Sequence, residues 1–337
     1  MTAVAAILIF FLTVVVHEFG HFFMAKLCNV KVIEFAVGMG PKVISKQKGE
    51  TIYSFRAIPL GGFCQMEGED EVASSERSLS RQKPWKKILI LAMGPIMNFL
   101  LAVVLFAIVN LNTGLVTTTI DKILPQSPAA AVGIESGDKI IRVDQVEVKE
   151  WQDFALYVSN INQENIKPIE VTIQTPEKEE RTVKLTPKFD AKQERVVIGV
   201  QAAVTKSFVK SIQYAFIQTF GIIILMFQFL GQLITGKIGT ENVGGPVAVV
   251  QQIGEAANYG ALALMKFSGF ISINLGVFNL LPIPALDGSR ILFALIEAIR
   301  RKPIAPEKEG FVHMIGFMLL LVLMVFVTYK DIARLFA

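Results

Sequence analysis

Long runs of apolar residues without charge set the pattern of this chain. Residues 88–109 and 311–328 contain no Asp, Glu, Lys or Arg. A helix rises about 1.5 Å per residue, so about 20 such residues cross a hydrocarbon core of ~30 Å. Both runs therefore predict transmembrane helices.

The N-terminal apolar run differs because it carries polar residues. Residues 3–16 are too short to cross a membrane alone. The helix reaches the required length only by continuing through His17, Glu18 and His21 to Leu27. The pattern predicts a first transmembrane helix with ionisable groups inside the bilayer. A cleaved signal peptide is not expected, since no basic residue precedes the run and no small-residue cleavage site ends it.

Basic residues cluster between the first two predicted helices. The connection from Lys26 to Lys87 is rich in Lys and Arg, which places it on the cytoplasmic side and the N-terminus outside. Within it, residues 51–66 alternate apolar and polar positions before a break at Gly61 and Gly62. That pattern predicts a β-hairpin or loop packed near the membrane surface.

Residues 112–205 form a segment of different character. Val, Ile and Thr alternate, with turns rich in Gly, Pro and Asp, over the length of one small domain that should fold in water. Residues 128–134, the Gly137-Asp138 turn and a helix beginning at Trp151 resemble a PDZ domain of bacterial proteases. Such a domain binds peptide tails as an added strand. The alternative is a β-rich spacer without a ligand.

Two more apolar stretches, residues 211–235 and 261–286, leave the number of crossings open. The first carries four glutamines, Gln213, Gln218, Gln228 and Gln232. We therefore expect residues 209–235 to form an amphipathic helix in the outer interface. Four crossings then place the basic residues 300–302 on the cytoplasmic side, whereas five would place them outside.

The predicted fold is a membrane α-helical core of four spans, with a membrane-associated β-loop and one inserted PDZ-like α+β domain on the extracytoplasmic side. The predicted divisions are residues 1–111 for the first two spans and the β-loop, 112–205 for the PDZ-like domain, 206–260 for the interfacial helix and a linker, and 261–337 for the third and fourth spans.

Composition agrees with a membrane protein. Hydrophobic residues make up 52% of the chain and charged residues 18%, which lies outside the usual soluble range. The net charge of +4 is small for 337 residues and gives no sign of nucleic-acid binding. Cys28 and Cys64 belong to no CxxC or His/Cys cluster, so we expect ordinary free thiols.

The sequence HEFGH, from His17 to His21, carries chemistry into the first helix. Imidazoles four positions apart lie on one helix face and can bind one tetrahedral Zn²⁺. Glu18 can take a proton from the attacking water and pass it to the leaving amine. The structural alternative is a polar helix hydrogen-bonded within a bundle. Each ionisable group in the bilayer costs about 2.5 to 3.5 kcal/mol, so three together favour a metal ion as their partner.

A catalytic zinc takes a third protein ligand, and Asp287 is the candidate for it. It is the last residue but one of the run NLGVFNLLPIPALDG, in an apolar segment far along the chain. Pro282 and Pro284 interrupt a regular helix there, and Gly288 permits a turn, which leaves backbone free to line a cavity.

With HEFGH, GPIMN at residues 94–98, the PDZ-like segment and NLLPIPALDG at residues 279–288, the chain resembles the site-two protease family of intramembrane zinc metalloproteases over nearly its whole length. It looks most like the bacterial regulator-of-sigma-E protease branch. It departs from the best-known enterobacterial member in having room for one PDZ domain instead of two. It also has Ser289 after LDG, where many relatives have a second glycine.

The resemblance implies a role for each matching residue. The implied zinc ligands are His17, His21 and Asp287, and the implied catalytic base is Glu18. The implied substrate-binding residues are Asn279, Pro282, Gly61 and Gly62. An amide at Asn279 could donate to a developing oxyanion, and the glycine-bearing loop would help to present unwound substrate.

The resemblance also implies partners and a location. The substrates would be single-span membrane proteins, such as shortened anti-sigma factors or signal-peptide remnants, cleaved in regulated intramembrane proteolysis. The protein would be a multi-pass component of the bacterial inner membrane, with its active site towards the cytoplasm.

The residues leave two alternative functions to a zinc protease, and one further histidine could be considered as a zinc ligand. A non-catalytic scaffold would hold zinc structurally and bind tails through its PDZ domain, although the retained Glu18 argues against it. A zinc transporter would need ligands spread along a path through the membrane. His313 is expected to be a packed, hydrogen-bonded residue instead of a fourth ligand, because a catalytic site keeps one position open.

Overall fold

The computed structural model describes residues 2–69, 75–162, 166–190, 195–239, 244–302, 304 and 306–335. The chain forms two compact units. One combines Met1–Val109 with Ile212–Ala337, and the other is Asn110–Ser211. The first unit is helical with one β-hairpin, and the second is rich in β-strands. The sequence prediction placed the inserted domain at residues 112–205.

The helices are α1 (Thr2–Leu27), α2 (Pro84–Thr113), α3 (Pro128–Ala131), α4 (Trp151–Ser159), α5 (Phe208–Ile234), α6 (Pro246–Asn258), α7 (Ala261–Leu280), α8 (Asp287–Arg300) and α9 (Pro306–Leu335). The strands are β1 (Val32–Lys48), β2 (Thr51–Met66), β3 (Leu115–Ile123), β4 (Lys139–Val143), β5 (Val146–Glu147), β6 (Ile169–Gln174), β7 (Glu180–Leu185), β8 (Lys188–Asp190), β9 (Arg195–Val197) and β10 (Val200–Thr205).

Five helices in the described part of the chain are long and apolar enough to cross a membrane: α1, α2, α5, α7 and the Lys308–Arg334 part of α9. The sequence predicted four spans, and α5 occupies the segment that was assigned to the interface. Only 6% of the apolar 18-residue stretch of α5 is buried within the protein, whereas 44% of the corresponding stretch of α2 is buried. The surface of α5 therefore needs an apolar environment, which either a spanning or an interfacial position supplies. The predicted linker contains a further helix, α6, that the apolar pattern did not reveal.

Helices α1 and α7 run in the same direction within the first unit. In the N-terminal part of α1, Ala6 and Ile9 belong to a buried cluster against which Leu264, near the start of α7, also packs. Near their C-terminal ends, His17 on α1 lies beside Asp287, which follows α7 by a short loop. The two helices thus deliver polar groups to one level of the helical core.

A side chain of α9 caps the N-terminal end of α6. Asp331 is 5% exposed, and its carboxylate accepts hydrogen bonds from the backbone N–H groups of Gly245 and Ala248, each at 3.1 Å. The first N–H groups of a helix lack partners within it, so a carboxylate there acts as a cap. A Cβ at Gly245 would lie 2.6 Å from that carboxylate, so the close approach requires glycine.

Strands β1 and β2 form an antiparallel hairpin that follows α1. Phe35 pairs with Cys64, and Tyr53 pairs with both Phe35 and Lys46, so the two long strands fold over each other. The predicted β-structure over residues 51–66 is present. However, β2 continues through the two glycines instead of ending there, because Gly61 with φ +85° takes the irregular backbone within the strand. Strand β1 was not predicted.

A buried acid holds this hairpin together. Glu34 has a side chain 7% exposed and accepts hydrogen bonds from Ser54 Oγ at 2.6 Å and Arg56 Nη2 at 2.8 Å, with Lys42 Nζ at 2.8 Å. Burial alone would raise the pKa of Glu34, but these three partners outweigh it and lower the pKa to about 2. The carboxylate therefore stays ionised, and the hairpin keeps its ion pairs across the neutral range.

The second unit is built around an antiparallel sheet of order β10-β3-β4-β6-β7. Its core includes Ile140, Phe154 and Val171. Helix α4 begins at Trp151, as the sequence predicted, and the side chains of Glu150 and Asp153 form a capping box at its start.

Candidate active site

The first helix presents two imidazoles one turn apart. His17 and His21 are each 6% exposed, and their Nε2 atoms are 3.2 Å apart. The Nδ1 atom of His21 lies 2.9 Å from the carbonyl oxygen of Ile90 on α2. A carbonyl oxygen only accepts, so Nδ1 carries the ring proton and Nε2 keeps its lone pair.

Asp287 completes a three-residue cluster from the other end of the chain. It is the first residue of α8, and its Oδ2 atom lies 3.1 Å from Nε2 of His17 and 3.4 Å from Nε2 of His21. One ligand atom from each residue lies within 4.8 Å of the others. Among the described residues, this is the one group of three or more metal-ligating side chains so placed.

The chemistry of this donor set fits a cation. With its proton on Nδ1, His21 has no hydrogen on Nε2 to donate to Asp287. The lone pair of that Nε2 atom therefore faces the lone pairs of Asp287 Oδ2. The buried Oδ2 atom of Asp287 has no hydrogen-bond partner in the described structure. Zinc binds imidazole nitrogen and carboxylate oxygen and takes three protein ligands at catalytic sites. The residues present therefore fit zinc.

Glu18 lies beside this cluster without belonging to it. It lines the same cavity as the three donors but is not a member of the metal-ligating group. Strand β2 packs against it, since a Cβ at Gly62 would lie 3.6 Å from Cγ of Glu18 and 2.8 Å from the carbonyl oxygen of Ala36. The hairpin thus reaches the candidate catalytic base at a residue that has no side chain.

The cavity has a volume of about 540 Å³. Besides the cluster and Glu18, it is lined by residues 63–66 of β2, by Asn279 at the end of α7 and by an ion pair of Glu69 with Arg290. A space of this size accommodates several residues of a peptide, with an amide and a β-strand on its walls.

Helix α2 approaches the two imidazoles at a glycine. A Cβ at Gly94 would lie 2.4 Å from Nε2 of His21 and 2.9 Å from Cε1 of His17. Any side chain there would push against the ligand atoms themselves. Gly94 begins the GPIMN motif, and the structure supplies the physical reason for a small residue at that position.

Asn98, at the end of the same motif, was not assigned a role from sequence. Its side chain is fully buried, and Nδ2 lies 3.2 Å from Nδ1 of His17, while Oδ1 has no hydrogen-bond partner in the described structure. Rotating the amide by 180° places Oδ1 where it accepts from Nδ1–H of His17, which leaves Nε2 of that ring free for a metal. Ser272 donates to the backbone oxygen of Asn98 at 2.8 Å and fixes the helix locally.

The remaining predicted residues lie at varying distances from the cluster. Gly61 packs against Met39, Pro282 is exposed, and neither lines the cavity in the described structure. Gly288 does not form a turn as expected. It lies in the first turn of α8, where a Cβ would meet the carbonyl oxygens of Leu281 at 2.2 Å and Leu280 at 2.4 Å.

The cysteines and the third histidine have no ligand role in the described cluster. Cys64 lines the cavity, but burial raises the pKa of its thiol, which keeps it protonated. His313 on α9 accepts a hydrogen bond from the backbone N–H of Ala285 at 2.9 Å. It is thus a packed, hydrogen-bonded residue, as the sequence led us to expect.

Two imidazoles and a carboxylate around a zinc-sized space, with a glutamate beside them on an apolar helix, define a membrane zinc peptidase. The model of Peptidase family M50 matches residues 5–323. The chain belongs to this family, and the predicted resemblance to site-two proteases is confirmed. It is a zinc metalloendopeptidase, which favours catalysis over the scaffold and transporter alternatives.

Relatives of known name cover the whole chain. A protein of Clostridium acetobutylicum, provisionally named a zinc metalloprotease, is 38% identical over 98% of this chain and 96% of its own length. Zinc metalloprotease RasP of Geobacillus kaustophilus is 31% identical over 99% of this chain and 98% of its own length. The solved PDZ domain of an SdrC-like protein from Listeria monocytogenes is 18% identical, covering 27% of this chain and 87% of that domain with a TM-score of 0.22.

Proposed function

We propose that this protein is an intramembrane endopeptidase that hydrolyses peptide bonds in or near the transmembrane segments of single-span membrane proteins. The observation that carries the proposal is the convergence of His17, His21 and Asp287 beside Glu18. The two imidazoles and Glu18 lie on α1, and Asp287 follows α7 by a short loop; both α1 and α7 are apolar enough to lie in a bilayer. In this proposal the three converging residues are the zinc ligands, and Glu18 is the catalytic base.

The roles follow from what each side chain can do. Zinc, when bound, supplies a Lewis acid that lowers the pKa of the attacking water towards neutrality. Glu18, whose carboxylate lies in the cavity and outside the ligand group, takes the proton from that water and passes it to the leaving amine. The side chain of Asn98 orients the imidazole of His17 through its Nδ1 atom, and the carbonyl oxygen of Ile90 orients the imidazole of His21 in the same way.

The substrate would meet the hairpin and α7. A helical peptide bond is shielded by its own hydrogen bonds, so the substrate must unwind locally. Residues 63–66 of β2 line the cavity as extended backbone, which can pair with an extended peptide. Asn279 lies on the same cavity and can donate to the developing oxyanion. Gly61 and Gly62 shape the strand here, and the exposed Pro282 stays a proposed substrate contact.

Four crossings fit the direction of the helices better than five. Because α1 and α7 run the same way, an odd number of crossings must lie between the end of α1 and the start of α7. Helix α2 supplies one crossing and α7 itself starts on the side that α2 reaches, so a full crossing by α5 would reverse α7. We propose that α5 enters or lies along the outer leaflet, and that the second unit is extracytoplasmic.

Labelling tests this topology. The native cysteines Cys28 and Cys64 are first replaced by serine. Single cysteines are then introduced in separate variants at Lys237, after α5, and at Tyr259, before α7. We expect a membrane-impermeant reagent to label both positions from the outside in intact cells. Labelling of both positions only after permeabilisation would show that α5 spans and would reject the four-crossing arrangement.

The location and substrate class follow from charge and resemblance. The Lys/Arg-rich connection between α1 and α2 favours the cytoplasmic face of a bacterial inner membrane. The ligands lie at the end of α1 that joins this connection, so the active site would be near the cytoplasmic side. Anti-sigma factors or signal-peptide remnants are the proposed substrates, and peptide tails would bind the PDZ-like unit.

Metal removal is the direct test of the function. The full chain in detergent is given a transmembrane model substrate before and after extraction with a strong chelator. We expect cleavage to stop when zinc is removed and to return on addition of one equivalent of zinc, with magnesium ineffective because it prefers oxygen ligands. Cleavage by zinc-free protein would contradict the mechanism. Zinc and substrate binding without turnover would favour the scaffold.

A further inference from the structure

The loop that delivers Asp287 is a tight turn. The N–H of Leu286 donates to the carbonyl oxygen of Ile283 at 3.1 Å, which closes a four-residue turn. Pro284 occupies the second position with its φ fixed near about −65°, and Ala285 follows with φ +77°. A negative φ followed by a positive φ defines a type II turn, in which the third position normally requires glycine. This chain places a residue with a Cβ there.

The peptide between Pro284 and Ala285 is the part of the turn that can flip. In type I and type II turns this peptide faces opposite ways, so the direction of the Ala285 N–H distinguishes them. That N–H donates to Nδ1 of His313 on α9 at 2.9 Å. The acceptor therefore stabilises the type II form, which alanine by itself disfavours.

Helix α9 holds the turn at a second point. Gly316 lies one turn after His313 on the same face, and a Cβ there would lie 2.2 Å from Cβ of Pro284. The imidazole of His313 is fixed in turn by an edge-to-face contact with Phe293 on α8, with ring centroids 5.8 Å apart. Since Nδ1 accepts, the ring proton is on Nε2, which faces Glu309 Oε1 at 3.7 Å.

The position of Asp287 depends on this turn. The carboxylate is two residues beyond Ala285 and must hold Oδ2 between two imidazole nitrogens at 3.1 and 3.4 Å. Gly288 packs directly on the carbonyl oxygens of Leu280 and Leu281 at the end of α7. The start of α8 therefore has no room to move and compensate for a flipped peptide in the turn. A shift of the turn is passed to the carboxylate.

We propose that His313 is a positioning residue for the zinc site, acting through the backbone N–H of Ala285 to keep Asp287 in place. This inference rests on the zinc ligands in the proposed function and adds a contribution from α9, which supplies none of them. It requires a hydrogen-bond acceptor at Nδ1, and no metal contact by His313.

The test uses the full chain in detergent, with zinc affinity measured by chelator competition and site geometry by the absorption bands of the cobalt-substituted protein. We expect His313→Leu to lower zinc affinity about tenfold and to change the cobalt spectrum, as loss of an outer support does. His313→Asn should restore both within about threefold, because its amide oxygen can take the place of Nδ1.

A second rescue isolates the turn. Adding Ala285→Gly to His313→Leu should recover most of the lost affinity, since glycine adopts the positive φ without help. Met314→Leu, an exposed neighbour on α9, serves as the control for the helix and should match the wild type.

Three results would overturn the proposal. Wild-type affinity and spectrum in His313→Leu would show that the contact does not matter to the site. Failure of His313→Asn, or of the added Ala285→Gly, to rescue would show that the imidazole acts by packing alone. Absence of zinc binding in the wild type would instead remove the proposed function itself, so the two failures are told apart by the wild-type arm.

Discussion

Replacement of Glu18 by glutamine should reduce peptide cleavage by about 10³-fold while leaving the bound zinc in place. The side chain lines the active-site cavity but is not in the group formed by the two imidazoles and Asp287. Glutamine has nearly the same shape and cannot accept the proton, so the change removes proton transfer and little else. The measurement is single-turnover cleavage of a transmembrane model substrate together with zinc content per chain.

The control for this experiment is another carboxylate of the same unit. Glu255 on α6 is exposed and outside the cavity, and Glu255→Gln should cleave at the wild-type rate. If Glu18→Gln lost its zinc, the glutamate would be a ligand and not a base. If it kept both zinc and activity, the base would have to be sought elsewhere on the cavity.

Replacement of Asp287 by alanine should weaken zinc binding by more than about 100-fold and abolish cleavage at ordinary zinc concentrations. The carboxylate supplies one of three donor atoms, and its Oδ2 atom has no other hydrogen-bond partner in the described structure. Two imidazoles alone leave the ion short of a ligand and without a compensating negative charge. Zinc competition against a calibrated chelator measures the effect.

Loss of fold must be separated from loss of metal in this variant. Asp287 also begins α8, where an acid interacts favourably with the helix N-terminus by only about 0.3 to 1 kcal/mol. The metal-free forms of the wild type and of Asp287→Ala should therefore melt at similar temperatures in detergent, while only the wild type gains stability from zinc. Equal stabilisation of both by zinc would mean that Asp287 is not a ligand.

The pattern of the sequence was sufficient where a local periodicity decides the outcome. Positions four apart on a helix share a face, so the motif HEFGH by itself predicted that His17 and His21 lie together. In the structure their Nε2 atoms are 3.2 Å apart. The transmembrane candidates α1, α2, α7 and α9 followed in the same way from run length. The helix beginning at Trp151 was predicted from the resemblance to a PDZ domain, and the structure adds the capping box at its start.

Prediction failed where a residue's conformation depends on what packs against it. Gly288 was expected to turn, but the carbonyl oxygens of Leu280 and Leu281 leave room for no side chain in the first turn of a helix. Strand β1 was missed because its alternating buried positions include Glu34, Ala36 and Gly38 instead of large apolar residues, and because its pairing with β2 is irregular. The role of Asn98 was missed because its partner, His17, is on another helix.

The sequence by itself determined the membrane class, the imidazole pair with its neighbouring glutamate, and Asp287 as the candidate third donor. Only the tertiary structure decided that these groups meet, that Gly94 admits the imidazoles beside α2, and that α9 holds the turn before Asp287. The physical reason is that helix and strand periods act over a few residues. Contacts between segments more than two hundred residues apart depend instead on how whole helices pack.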